Sequence, residues 1–386
     1  MRRGLRETWP DGALKRSVGA QPLLKGSPGL TYVYPRRPSH FAIYLRDALA
    51  GRIWLFFWRM EENSAATMKG AVFLSIIITG SLAYDHIMHF PGHFSDHILP
   101  EKIAMLNISF LVDTMQKLRG GCAANIAYSL ALLEEKPVVM GTVGTDFDDY
   151  RRWMEQNGID PSLIKVIPNL YTASCFITTD LKNNQITGFY SGAMGEAHTL
   201  SFHDVKEKVS ITTVSPNDPL AMVKYCRECR ELSIPFIFDP GHQIPRLSPE
   251  DILDGFNGSC FAIMNDYELE MVIARTGKTE DELLAMTETL IVTKGAQGSV
   301  IKTGKRAMEI PVVKSDKVAD PTGAGDAYRS AVIKGYLNGL DLETTGKLAS
   351  LVATYVVEKH GTTEHHFTME ELRERYRRTY GESLPL

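Results

Sequence analysis

Asp320-Pro-Thr-Gly-Ala-Gly-Asp-Ala-Tyr-Arg-Ser-Ala-Val-Ile-Lys-Gly335 reads as a turn that opens a helix, and the rest of the chain is organised around it. Asp320, Pro321 and Thr322 are expected to break a preceding strand. Gly323 and Gly325 then permit backbone geometry denied to bulkier residues, and from Ala327 onward Ala, Tyr, Ala, Val and Ile recur at helical spacing. The first N–H groups of a helix lack partners within it, so such a turn gathers donors. With the helix dipole behind them they suit an anion, above all a transferring phosphate. Asp326 does not belong in a loop that only binds an anion, because a carboxylate repels one. A loop that must also take a proton from an attacking hydroxyl needs it. The competing reading is an acidic first turn that merely stabilises a helix.

The 386 residues allow one large domain or roughly two to three small ones, and 44% hydrophobic with 23% charged residues is ordinary for a soluble enzyme. The net charge of -4, with no long basic stripe beyond the N-terminal segment, gives no reason to expect nucleic acid as a partner. Five scattered cysteines fit a reduced cytoplasmic setting better than a disulfide framework. No apolar run is long enough to span a bilayer, so no membrane partner is expected either.

Residues 1–67 differ in composition from the rest of the chain. Through Arg59 they hold eleven Lys or Arg against the acids Glu7, Asp11 and Asp47, punctuated by Pro, Gly and Ser, with Ile53 to Trp58 the sole apolar cluster. A disordered basic extension, a targeting segment and upstream sequence translated from a misplaced start compete. The last is favoured, with Met68-Lys69 as the beginning, because patterned sequence starts just after Met68. Deleting the segment is expected to leave fold and activity intact.

Val72 to Thr79 is continuously apolar and β-branched, as a buried central strand is, and Ser81 and Asp85 come next, where open α/β sheets bind ligands. Phe90 to Leu111 lacks helical period and reads as a projecting flap. A helix opens at Gly120-Gly121 and runs through Leu133, a strand spans Pro137 to Val143, and a helix from Asp146 to Asn157 is stopped by Gly158-Ile-Asp-Pro161. Ala173 to Thr179 and Gln185 to Tyr190 read as a hairpin turned by Asp180-Leu-Lys-Asn-Asn184. Strands at Thr212 to Ser215, Phe236 to Asp239, Phe261 to Asn265 and Leu290 to Thr293 then alternate with helical stretches, and helices at Leu342 to Lys359 and Met369 to Arg378 close the chain. This order predicts an α/β domain over 68–386, doubly wound about a mostly parallel sheet with helices on both faces, plus a small β lid from about 84–115 and 171–192.

Four more stretches stand at positions where chemistry is expected: Ser81-Leu-Ala-Tyr-Asp85, Arg119-Gly-Gly-Cys-Ala-Ala-Asn125, Asn265-Asp-Tyr-Glu268, and Thr293-Lys-Gly295 with Gly298. Two have a plain structural alternative: a loop-capping Asp at Asp85, and a helix N-cap with an acidic first turn at Asn265 to Glu268. Others are set aside. Gly277-Lys278-Thr279 lacks the first glycine of a P-loop, since Val272 stands there. Cys226 and Cys229 have metal spacing without a second pair, and His86, His89, His93 and His97 surround Pro91-Gly92 in the flap; both groups read as structural.

Together with the Gly-Ala-Gly-Asp turn, these stretches resemble the signatures of the ribokinase (PfkB) superfamily of sugar and nucleoside kinases. The resemblance implies a ribokinase-like fold, ATP and Mg2+ as cosubstrate and metal, and an anion hole at Gly323, Ala324, Gly325 and Asp326 with Asp326 as the base. Ser81 and Asp85 would bind substrate, the Asp85 carboxylate accepting from two sugar hydroxyls. Gly120 and Gly121 would let substrate approach the backbone, and Asn125 would read a hydroxyl. Asn265 and Glu268 would organise Mg2+ and phosphates, largely through water. Thr293, Lys294, Gly295 and Gly298 would contact the nucleotide. Asp320 and Thr322 match positions near a monovalent cation (K+) in some members.

From roughly residue 76 onward the chain is more narrowly similar to the bacterial adenosine kinases of that superfamily, the branch found in mycobacteria. The matching stretches include Thr79-Gly-Ser-Leu-Ala-Tyr-Asp-His-Ile-Met-His-Phe-Pro-Gly92, Ser109-Phe-Leu-Val-Asp113, Phe189-Tyr-Ser-Gly-Ala-Met194, Asn217-Asp-Pro219 and Arg246-Leu-Ser248. In that branch the residue at Phe189 stacks on the purine. Two departures touch the base pocket: Asp239-Pro-Gly-His-Gln243 puts His242 beside Gln243 where the branch has two glutamines, and Cys175 or Phe176 replaces a second lid aromatic. The expected activity is phosphorylation of a nucleoside 5'-hydroxyl, adenosine first. A ribose or fructose-type sugar kinase and a non-catalytic ligand sensor on the same fold are the alternatives, and a homodimer through the lid is an arrangement open to the chain.

Overall fold

The β-branched apolar run that ends at Gly80 forms strand β1 (Leu74–Thr79) in a computed structural model that describes residues 74–99, 104–105 and 107–386. The basic segment 1–67 and the choice of start at Met68 lie outside the described residues. After β1 come β2 (Ala83–His89), β3 (Thr114–Gly120), helix α1 (Cys122–Leu132), β4 (Pro137–Val143), α2 (Asp148–Gln156) and β5 (Asp160–Val166). Next are β6 (Ala173–Thr179), β7 (Gln185–Tyr190), β8 (Lys208–Val214), α3 (Pro219–Glu231), β9 (Phe236–Phe238) and α4 (Pro249–Phe256). They are followed by β10 (Phe261–Asn265), α5 (Asp266–Thr276), α6 (Glu280–Leu284) and β11 (Leu290–Thr293). The chain ends with β12 (Ser299–Thr303), β13 (Arg306–Ile310), α7 (Ala324–Leu337), α8 (Leu342–Val357) and α9 (Met369–Tyr380).

Nine strands make one sheet in the order β13-β12-β11-β10-β9-β8-β1-β4-β5, parallel from β5 to β11 and antiparallel at β12 and β13. β1 lies between β4 and β8, which is why its side chains are apolar on both faces. Ile76 and Ile78 face one core, with residues of α1, α7 and α8, whereas Ile77 faces the other, with residues of α3, α4 and α5. This is the ribokinase-like, doubly wound architecture expected. A second sheet, β3-β2-β6-β7, forms the lid.

The sequence-based limits of β4, β6, β7, β10 and β11 coincide with the observed strands. One expectation fails, and several strands are not among those expected. No strand precedes Asp320: β13 ends at Ile310, and residues 311–319 form no strand or helix. Asp160 and Pro161, expected only to stop a helix, open the strand β5 at the sheet edge, where a proline is tolerated. β12 and β13 have no counterpart among the expected strands; they are joined by Gly304-Lys305, with Gly304 at φ 53°.

Candidate active site

The C-terminal ends of β1, β8, β9, β10 and β11 lie along one edge of the parallel sheet, and the start of α7 comes to meet them, with Arg329 reaching Asp239 just past β9 and the Ile263 carbonyl in β10. Gly323 caps α7 at φ 85°, a left-handed conformation that favours glycine. The Ala324 N–H donates to the Pro321 carbonyl at 3.2 Å. Among the described residues, the N–H groups of Gly323, Gly325 and Asp326 have no protein acceptor. Three of the four amides assigned to an anion hole are therefore available as donors at the positive end of a helix.

Asp326 lies half-buried in the first turn of α7, and its Oδ2 accepts from Asn125 Nδ2 at 2.8 Å. Asn125 stands in the first turn of α1, 5% exposed, with its Oδ1 buried and unpartnered. Burial pushes the Asp326 carboxyl above its ordinary value; the Arg329 guanidinium and the Asn125 hydrogen bond pull it back, and Glu268 pushes it further up. A carboxylate so raised holds a hydroxyl proton better than an ordinary one.

Behind this turn Arg329 and Asp239 form a buried ion pair: Nη2 donates to Oδ1 at 2.8 Å, and Nε lies 2.7 Å from Oδ2 without a hydrogen bond. Neither residue has a role assigned from sequence. The available sign is an arginine within the apolar helical stripe that begins at Ala327. Burial pushes the Asp239 carboxyl up to about 7 against the pull of Arg329.

Asp85 lies within β2, not in a loop after β1. Burial raises its carboxyl too. A Cβ on Gly120 would overlap the Asp85 carboxylate, and one on Gly121, at φ 96°, would overlap the Ser81 carbonyl. Contacts inside the protein thus favour glycine at both positions. The Ser81 hydroxyl accepts the Cys122 N–H at 3.1 Å and meets Cys122 Sγ at 3.1 Å, so it ties β1 to α1.

In the lid, Asp85 is registered with Cys175 and Cys175 with Phe189, so these three share a face. Phe176 is on the other face, stacked on His86 with ring centroids 4.7 Å apart. Cys175, not Phe176, is therefore the residue that stands between Asp85 and Phe189 on this face. Phe189 is 51% exposed on the edge strand β7. After β9 the short 3-10 turn Gly241–Arg246 buries Gln243 and leaves His242 exposed.

Asn265 and Glu268 form a reciprocal cap on α5: each side chain accepts the other's backbone N–H at 2.8 Å. The capping alternative is thus realised. The same Glu268 carboxylate still acts electrostatically on Asp239 and Asp326. Thr293, Lys294, Gly295 and Gly298 make the tight β11–β12 connection, with the Lys294 N–H on the Gly298 carbonyl at 2.7 Å. Asp320 accepts the Thr322 N–H at 2.9 Å and the Gly361 N–H at 3.2 Å, one on each oxygen.

Among the described residues no group of three or more His, Cys, Asp or Glu is placed to hold a metal. His86 stacks on Phe176, His89 Nδ1 meets Asp113 at 3.0 Å and His97 packs edge-on to Phe90, while Cys226 and Cys229 are buried in the core under α3. All five cysteines are free, and no helix of the described residues is long and apolar enough to cross a membrane. An open groove lined by Ser75, Lys136 and Asn157 lies at the opposite, N-terminal ends of the strands, away from this chemistry.

Residues 82–368 match the pfkB family of carbohydrate kinases. The chain is 33% identical over 277 residues to a nucleoside kinase of Methanocaldococcus jannaschii, covering 71% of this chain and 91% of that one. It is 30% identical over 318 residues to a nucleoside kinase of Methanothermobacter thermautotrophicus, covering 81% and 98%. The structure of Burkholderia thailandensis nucleoside kinase in complex with inosine superposes with a TM-score of 0.72 at 37% identity, over 80% of this chain and 99% of that one. A ribokinase of Thermotoga maritima, 20% identical with a TM-score of 0.68, shares the fold. The chain therefore belongs to the pfkB family of carbohydrate kinases and is a phosphotransferase.

Proposed function

We propose that the protein transfers the γ-phosphoryl group of ATP to the 5'-hydroxyl of a purine nucleoside, with adenosine the first candidate. The observation that carries this reading is the Asn125–Asp326 contact, which sets a base of raised proton affinity at the helix end where three backbone donors stand free. The Burkholderia relative has been solved with inosine and with ADP-inosine, which supports a purine nucleoside and an adenine nucleotide as the two substrates.

Asp85, together with Asn125, would hold the ribose hydroxyls. Asp326 would accept the 5'-hydroxyl proton as that oxygen forms its bond to the γ-phosphorus and the bond to the leaving ADP oxygen breaks. The free amides of Gly323, Gly325 and Asp326 would bear the charge that develops on the transferring oxygens. The lid would exclude water, so that the phosphoryl group goes to the nucleoside.

Glu268 fits an indirect magnesium role: its Oε2 is taken by the cap, and its charge is felt at Asp326 and Asp239. Magnesium keeps much of its hydration and binds through phosphates, so it needs no protein cage; bound there, it would neutralise phosphate charge. Asp320 clamps the loop by accepting the Thr322 and Gly361 N–H groups. Exposed apolar residues on the edge strand β7, Ile186 and Phe189, support the lid as the face for a homodimer.

A sugar kinase of the ribose or fructose type is the second reading, favoured by the thin base clamp in which Cys175 faces Phe189. ADP release measured with Mg-ATP and a panel of adenosine, inosine, guanosine, cytidine, ribose and fructose decides. Turnover on purine nucleosides is expected. Turnover confined to free sugars would replace this reading with the second.

A further inference from the structure

We propose that Arg329, clamped by Asp239, is a positioning residue for Asp326: it fixes a positive charge behind the phosphate-binding turn and keeps the base charged and in place without touching substrate. The inference rests on the reading of Asp326 as the base.

Arg329 follows Gly325 by four residues on α7, and side chains on a helix lean toward its N-terminus, so the guanidinium folds back along the turn. A Cβ at Gly325 would stand 2.7 Å from Arg329 Nη1. The second glycine of the turn thus leaves open the space that this guanidinium enters. On its other side the group is anchored to the sheet: Nη2 donates to Asp239 Oδ1, just past β9, at 2.8 Å and to the Ile263 carbonyl in β10 at 3.4 Å, while Nε lies 2.7 Å from Asp239 Oδ2 as a charge contact without a hydrogen bond.

Stability alone is a poor reason for such a pair. A buried ion pair gains little over apolar packing once both ions have lost their water, and the neighbours Ala327, Ala331 and Val332 show that α7 packs apolar side chains at this level. Its place among the surrounding charges gives a better reason. Arg329 faces Asp326 from its own helix, Asp239 from the end of β9, Glu268 from α5, and Asn125 and Cys122 from α1. Cys122 stays a neutral thiol, pushed up to about 12 mainly by burial. Glu268 drives a proton onto Asp326, Arg329 is the cation that opposes it, and Asp239 draws on the same cation.

The test is the titration of the Asp326 carboxyl, followed by NMR on isotope-labelled aspartate and assigned through Asp326→Asn, in Arg329→Met, Asp239→Asn and the double variant. Losing the cation should move the midpoint up by roughly one unit or more, losing the Asp239 charge should move it down, and losing both should bring it back near the parent. The acid limb of kcat should follow the same order, with KM for nucleoside changed less than about threefold. A pair that only braces α7 would lower the melting temperature of both single variants without opposite shifts. Shifts of one sign, or none, overturn the proposal. If Arg329→Met does not fold, the downward shift in Asp239→Asn and its reversal in the double variant decide alone. The titration uses no substrate, so a parent protein that phosphorylates nothing would sink the kinase reading while the midpoints still decide this one.

Discussion

Asn125 Nδ2 and Asp326 Oδ2 are 2.8 Å apart across 201 positions of sequence, a direct bond between the first turns of α1 and α7. The amide that the family resemblance gives to the substrate therefore also holds the base. A residue that only bound ribose would raise KM when removed. Asn125→Ala is expected to raise KM and to lower kcat by roughly tenfold or more, because an unanchored carboxylate loses its alignment. Steady-state kinetics checks this; an unchanged kcat would separate the two roles.

Asp326→Asn should lower kcat by roughly 10² to 10⁴-fold with nucleoside binding nearly unchanged. It should also stabilise the fold at neutral pH. The folded-state carboxyl is raised, so its contribution to stability is full below the ordinary carboxylate value and is lost as pH rises through the folded value. The neutral amide escapes that loss. Melting curves should place the variant above the parent at neutral pH and bring the two together in acid.

As the proposed base, Asp326 must be ionised to act. Its kcat is expected to fall on acidification through a midpoint higher than that of an ordinary aspartate, in the direction burial imposes. A profile flat down to the ordinary range would remove Asp326 from the base role.

Gly120→Ala puts a methyl group where the Asp85 carboxylate lies. It should therefore reproduce Asp85→Ala in kinetics, with KM rising and discrimination between ribo and 2'-deoxy nucleosides lost, although Asp85 itself is intact. Parallel KM values for the two nucleoside series in both variants would check the link.

Phe189 is exposed and supports no core, so Phe189→Ala should leave the melting temperature unchanged. Loss of stacking should raise KM for nucleosides by roughly 3 to 10-fold and leave ribose unaffected. Equal effects on both would favour the sugar reading.

Much of the fold was legible because buried strands such as β4 and β10 are unbroken apolar runs bounded by turn residues, and the β6–β7 hairpin is marked by Asp180 and its asparagines. β3 was not legible. Thr114 to Lys117 are exposed, so no alternation between core and solvent marks them. The Gly304-Lys305 turn was visible, but an antiparallel hairpin at the end of a parallel sheet has no periodic sign of its own. In the site, motif residues could be named one by one. The Arg329–Asp239 pair, separated by 90 positions, and the pressure of Asp85 on Gly120 arise only when strands and helices meet.

The lid sheet shares no strand with the nine-stranded sheet, and it leaves and rejoins the chain at the sheet edge, between β1 and β2, β3 and α1, β5 and β6, and after β7. The base and its three free amides are all on α7, far along the sequence from those joints. Evolution can thus alter the cover without retuning the engine: a substitution at Cys175 changes the lid face beside Phe189 and leaves the turn at the start of α7 as it was. One chassis can in this way serve relatives named for nucleosides and relatives named for ribose.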